Sequence, residues 1–174
     1  LDGTIPITTA WTVHTGNIYK TSISDDIWQL FVGDRLQVIA RWPNATTHPV
    51  DPFQRQAGSW KAVDGTWWSK ESTWANADAP ATENGILENN DSYHDLAATG
   101  KEFTGGSVLL SVLEQGGDGN QERPILGHEA GNSSFNHPVL YPPKPTKAYR
   151  ETGKYYFIEH LDALDQEEEW YYID

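Results

Sequence analysis

The chain has 174 residues with 37% hydrophobic content, eight Trp, eight Tyr and five Phe, so a single domain spanning 1–174 with burial concentrated in large rings is expected. A net charge of −13 repels phosphate backbones and argues against nucleic acid as a partner. No run approaches the ~20 apolar residues that cross a bilayer, and the absence of Cys rules out disulfides and thiolate metal ligands.

With 15 Gly and 10 Pro, turns should be frequent and long helices absent. Leu1 to Ile7, Trp11-Thr12-Val13 and Ile18 to Ile23 read as strands. The segment that organises the chain follows. Ile27 to Val32 and Leu36 to Trp42 are rich in β-branched and aromatic residues, and Gly33-Asp34 between them is a two-residue turn able to take positive φ. The apolar runs are continuous enough to predict burial on both faces at the hairpin's centre, with Trp11, Trp28, Trp42 and Trp170 in the core. Pro43 cannot donate to a ladder and should end the second strand.

From Asn44 to Pro80 the pattern loosens into turn signals that hold Trp60, Trp67, Trp68 and Trp74. Gly58 to Val63 and Thr66 to Ser69 read as a small hairpin through Asp64-Gly65, and Ser72 to Ala75 as the start of a helical turn. After a polar stretch, Leu96-Ala97-Ala98 reads as a helical turn, Ser107 to Leu113 as the most apolar strand, and Gly116 to Asn120 as a turn. Arg123 to His128, Ser134-Phe135 and Pro138 to Tyr141 read as short strands, and Pro142-Pro143-Lys144-Pro145 as a stiff connector. Lys154 to Glu159 is a strand, Leu161 to Leu164 a helical turn, and Trp170 to Ile173 extended chain. About ten short strands with regular turn signals predict an all-β fold. The expected form is an antiparallel, jelly-roll-like β-sandwich with long Trp-rich loops and few helical turns.

Three segments carry a family resemblance. They are Leu1-Asp2-Gly3-Thr4; Ile18-Tyr19-Lys20 leading into Gln29-Leu30-Phe31-Val32 and Ala40-Arg41-Trp42-Pro43-Asn44; and Tyr155 to Glu159 with Leu161 to Asp165 and Glu169-Trp170-Tyr171-Tyr172. Together they resemble the N-terminal region of secreted right-handed parallel β-helix proteins active on polysaccharides, glycoside hydrolases or polysaccharide lyases in which a β-sandwich interrupts the early rungs. The resemblance covers roughly half the chain and leaves out the Trp-rich middle. It implies a sandwich cut from a larger enzyme whose catalytic carboxylates lie on the helix, outside this chain. Leu1 in place of an initiator Met fits a processed or excised chain. Where such proteins keep Gly before the Glu-Trp pair, this chain has Glu168.

The chemistry that the residues offer begins with aromatic platforms. The C–H faces of sugar rings lie on flat side chains while neighbouring polar groups fix orientation. Trp67 and Trp68 point to opposite faces of a strand, so one of them should face outward. The expected glycan site is therefore Trp60, Trp67, Trp68 and Trp74, steered by Tyr93, Arg55 and Lys61. Paired carboxylates are a second theme. Asp25, Asp26, Glu114, Asp118, Asp162, Asp165, Glu167, Glu168 and Glu169 are too many for spacing to single out a pair. Asp118-Gly119-Asn120 resembles part of an oxygen-rich Ca²⁺ loop but lacks the twelve-residue pattern, so Asp118 and Asn120 are candidate ligands of a cation rather than a defined site. Six scattered His give no zinc spacing, and no nucleophile elbow or phosphate loop is present.

The leading expectation is a secreted, non-catalytic carbohydrate-binding module with no cofactor. Its partners would be a polysaccharide or oligosaccharide and the catalytic β-helix domain of its own parent chain. A structural accessory domain that walls the parent's cleft is the alternative. A hydrolase or lyase in its own right ranks third.

Overall fold

The structure, a computed structural model, describes residues 4–44, 75–76, 85–89, 94–114, 117–138 and 154–173, with backbone alone at 76, 111–114, 117–121 and 154. Within them the chain is all-β, with no helix of seven residues or more. The first strands are β1 (Thr12–Thr15), β2 (Ile18–Lys20), β3 (Phe31–Val32), β4 (Arg35–Leu36), β5 (Val38–Ile39) and β6 (Arg41–Trp42). Two short ones, β7 (Ala75–Asn76) and β8 (Ile86–Glu88), precede the long pair β9 (Ser107–Glu114) and β10 (Gly117–Pro124). Then come β11 (Gly127–His128), β12 (Ser134–Asn136), β13 (Lys154–Ile158) and β14 (Glu169–Trp170).

The largest sheet grows around the most apolar segment. β9 pairs antiparallel with β10 on one edge and with β13 on the other, and β13 continues to β6 and β7. Side chains alternate across a strand, so Tyr155 and Phe157 of β13 share one face with their β9 partners Leu110 and Val108; all four are buried. A second sheet, in the order β11-β12-β8, lays Leu87 and Phe135 on that face. Phe135 lies 4.8 Å from Phe157 and 5.0 Å from Tyr155, ring centre to ring centre. Trp42 and Phe103 close the cluster at 5.7 and 4.8 Å from Phe157. Two antiparallel sheets thus face each other across aromatic rings as an open sandwich, each buried ring contributing about 1.5–3 kcal/mol of transfer free energy.

Asn89 is a buried polar residue whose side chain is paired. Asn89 donates from Nδ2 to the Tyr155 hydroxyl at 2.8 Å and accepts the Leu96 amide on Oδ1 at 3.3 Å. That second bond starts the 3-10 turn Ala97–Thr99, which Gly100 ends at φ +62°. The expected turn at Leu161 is present as the 3-10 turn Leu161–Ala163.

The expected hairpin forms in part. β3 and β4 pair as Phe31↔Leu36 and Val32↔Arg35, and Gly33 takes φ +64°. Beyond Leu36 the single expected strand divides among three partners: β4 stays with β3, β5 runs parallel to β14, and β6 joins β13. The Val38 amide bonds to the Glu168 carbonyl at 2.9 Å and the Ala40 amide to the Trp170 carbonyl at 2.7 Å. The apolar run marked burial correctly from Leu36 onward, but apolarity does not say which strand lies alongside. β6 stops before Pro43, as its missing N–H requires.

Other expectations are corrected. No residue from 4 to 35 is buried, so the hairpin's centre is not enclosed: Leu30 and Phe31 are half-buried and Val32 is exposed. Trp42 and Trp170 are core residues, whereas Trp11 and Trp28 are exposed. Neither lies within a strand, and Trp28 at 86% exposure stands almost wholly uncovered. Residues 4–8 form no strand. Of the turn expected at Gly116 to Asn120, Gly116 lies outside the described residues and Gly117 to Asn120 is instead the start of β10, with Asp118 opposite Leu113 and Asn120 opposite Ser111. The ladder that β9 offers overrides the turn preference of Gly, Asp and Asn. The strand expected from Arg123 to His128 breaks after Pro124, and Ile125 instead bonds to the Gly105–Gly106 corner.

Candidate functional site

β1 and β2 form a two-stranded ribbon separate from both larger sheets. The register sets Val13 opposite Tyr19 and Thr12 opposite Lys20. Alternation then puts Trp11, Val13 and Tyr19 on one face, and extending the register by one residue brings Thr21 against Trp11. Trp11 is 48% exposed, Tyr19 58% and Val13 60%. Trp28, further along the same arm, is 86% exposed. An isolated ribbon is marginal in water, and side-chain bonds reinforce this one. Thr9 donates to the Ser22 carbonyl at 2.8 Å, its Oγ1 lies 2.7 Å from Thr21 Oγ1, and Thr21 Oγ1 lies 3.2 Å from the Ala10 carbonyl. The arm is tied to the body by the Gln37 amide bonding to the Leu30 carbonyl at 2.8 Å. The Tyr172 hydroxyl adds a bond to Asp26 at 3.4 Å.

The aromatic site expected from sequence, Trp60, Trp67, Trp68 and Trp74 with Tyr93, Arg55 and Lys61, lies outside the described residues. Asp118 and Asn120 are described by backbone alone, within β10. Among the described residues no three His, Asp or Glu side chains converge as metal ligands. The exposed aromatics that are described, Trp11, Tyr19 and Trp28, were missed as a site because strand patterning alone does not separate a covered ring from an uncovered one. Trp11-Thr12-Val13-His14 alternates apolar with polar, which puts Trp11 and Val13 on one face but implies that this face is covered, whereas the structure leaves it exposed.

Of the carboxylates, the structure brings Asp165 and Glu169 together. Glu169 Oε2 accepts the amides of Asp165 and Gln166, each at 3.2 Å, while Oε1 is buried with no hydrogen-bond partner. Burial pushes the Glu169 carboxyl up to about 7, with the Asp165 charge adding to the effect and the two amides opposing it. Asp165 itself is held by Lys101 and accepts from Asn44 Nδ2 at 2.9 Å. Asp162 accepts the Glu102 amide at 3.1 Å, and Glu168 pairs with Arg35 at 2.8 Å. The contacts of Asp162 with Glu102, of Asp165 with Lys101 and Asn44, and of Glu168 with Arg35 fasten the 160–170 segment to the rest of the fold, whereas the Glu169 bonds close a turn within it. Two of the described His are buried, and in each a ring nitrogen faces a carbonyl and must carry the proton: His137 Nδ1 lies 2.8 Å from the Pro138 carbonyl and His128 Nε2 3.1 Å from that of Asn132.

No helix among the described residues is long and apolar enough to cross a membrane. Comparison of the chain with protein families, characterised proteins and solved structures yields no match.

Proposed function

We propose that this chain is a non-catalytic carbohydrate-binding domain of a secreted, polysaccharide-degrading enzyme, one that holds glycan on uncovered aromatic rings. The observation that carries the reading is the β1–β2 ribbon, where Trp11 and Tyr19 stand on one exposed face beside Thr hydroxyls. Flat rings take the C–H face of a sugar and flanking hydroxyls take its O–H groups. Shallow platforms with few anchors bind in the micromolar to millimolar range. A glycan array probed with the wild-type chain and with a Trp11→Ala/Tyr19→Ala variant tests the reading. Loss of signal in the variant, at unchanged melting temperature, supports it. Retained signal moves the site to the Trp67 and Trp68 region, and no signal for either protein defeats the proposal.

A second reading has its own observation. Every residue from 4 to 35 contributes to the surface rather than the core, and Ile5, Trp11, Val13, Tyr19, Trp28 and Val32 are all exposed. Such an apolar arm fits a domain that docks on a β-helix of its own parent chain. That reading expects concentration-dependent self-association of the isolated chain, abolished by Val13→Lys, together with silence on the array.

A further inference from the structure

Deepening the glycan reading, and resting on it, we infer that the β1–β2 ribbon selects an uncharged, hydroxyl-rich sugar chain, held along at least two consecutive units, and rejects sulfated or uronate polymers. Two independent observations lead there.

The first is the hydrogen-bond inventory of the face. Thr9 commits its single hydroxyl proton to the Ser22 carbonyl at 2.8 Å. Thr21 has two acceptors within reach, Thr9 Oγ1 at 2.7 Å and the Ala10 carbonyl at 3.2 Å, and its one proton goes to one of them. Both protons are therefore spent inside the ribbon. What the pair can still offer a ligand is lone pairs. A sugar hydroxyl donates to a lone pair; a sulfate or carboxylate oxygen only accepts, and would meet an acceptor. The pair is selective by what it lacks.

The second is charge. The chain carries −13, and within the arm, residues 4–35, Asp25, Asp26 and Asp34 outnumber Lys20 and Arg35. A polyanion approaching this face is repelled over a Debye length, whereas an uncharged chain is indifferent to the field.

The number of units follows from the strand geometry. Tyr19 faces Val13, so it stands diagonal to Trp11, a cross-strand separation of roughly 7–8 Å. One pyranose cannot cover both rings. Neighbouring units of an extended chain can. A monosaccharide meets one ring and binds weakly.

Affinity electrophoresis of the whole chain through gels containing mixed-linkage β-glucan, xylan or β-mannan, beside gels containing alginate or carrageenan, tests this. The expected result is retardation by at least one neutral polymer and by neither acidic one. Oligosaccharides of two or more units should compete and the monosaccharide should not. Thr9→Val and Thr21→Val each should weaken retardation about threefold to tenfold, the cost of one lost hydrogen bond. Retardation by alginate or carrageenan that Trp11→Ala abolishes overturns the ligand class while leaving the glycan reading standing. Full competition by a monosaccharide overturns the two-unit platform. Absence of retardation in every gel defeats the underlying reading itself. Melting temperatures of the variants identify any that merely fail to fold.

Discussion

The Arg41 guanidinium carbon lies 3.6 Å from the centre of the Tyr156 ring, on the face of β13 opposite the aromatic core. Arg41 is buried, and its Nε donates to the Pro43 carbonyl at 2.9 Å. Burial lowers its basicity to about 10, with the Tyr156 and Glu169 charges working in the opposite sense. A cation so enclosed is held by its ring and its acceptor together. Arg41→Ala strands both and should cost about 2–4 kcal/mol in urea unfolding. Arg41→Met keeps the apolar bulk without the charge and should cost less. Equal losses in the two variants would assign the stabilisation to the guanidinium's ring and carbonyl contacts, with none left for packing.

Glu169 makes stability fall as pH rises. Its carboxyl is pushed from 4.5 to about 7, chiefly by burial, so between those values the folded state holds a proton that the unfolded state has released. The stabilising share is complete below about 4.5 and gone once pH passes about 7. Discounted for partial exposure, its size is about 1–2 kcal/mol. Urea unfolding of wild type at pH 5.5 and 8, beside Glu169→Gln, measures it: the variant should lose this part of the pH dependence and should gain on wild type at pH 8.

His137 acts on the acid side. Burial depresses its basicity, Arg123 contributes in the same direction, and the bond to the Pro138 carbonyl opposes both. The unfolded chain therefore binds the proton first. Stability is complete above about 6.5, the ordinary imidazole value, and declines as pH falls below it. His137→Phe should flatten the acid limb of a urea-midpoint profile between pH 7 and 4.5. An unchanged limb would place the acid sensitivity in other groups.

Glu168 occupies a glycine's backbone. Its φ is +69°, a left-handed conformation that costs a side-chain-bearing residue about 1–2 kcal/mol. Its carboxylate pairs with Arg35 at 2.8 Å, but that pair is largely exposed and contributes about 0–1 kcal/mol. Glu168→Gly should therefore stay within about 1 kcal/mol of wild type, and Glu168→Val should lose about 1–3 kcal/mol because a β-branched residue tolerates this region worst. Urea midpoints decide, with Arg35→Ala as the measure of the ion pair alone.

Strand class, the Gly33 turn, the stop before Pro43 and the helical turn at Leu161 were legible in the sequence because each is dictated within a few residues of chain. The positive φ at Glu168 was not, because Glu rarely adopts that conformation. What local pattern cannot carry is tertiary partnership. Trp28 and Trp42 sit in equally apolar strand contexts, yet only Trp42 meets Phe103 and Phe157. Asp118-Gly119-Asn120 has turn composition but lies along β9. The candidate glycan face was half visible, in the alternation around Trp11. The bonding of Thr9 to Thr21 was not, because it depends on a register that no neighbouring residue announces.

β13 joins β9 to β6 and fills the middle of the largest sheet, although Trp42 and Phe157 stand far apart along the chain. During synthesis, the strands before it have no central neighbour until it emerges, so their edges remain open in the meantime. Assembly of this core is thus a late, long-range event, slow by topology and dependent on what shields those edges while the ribosome finishes.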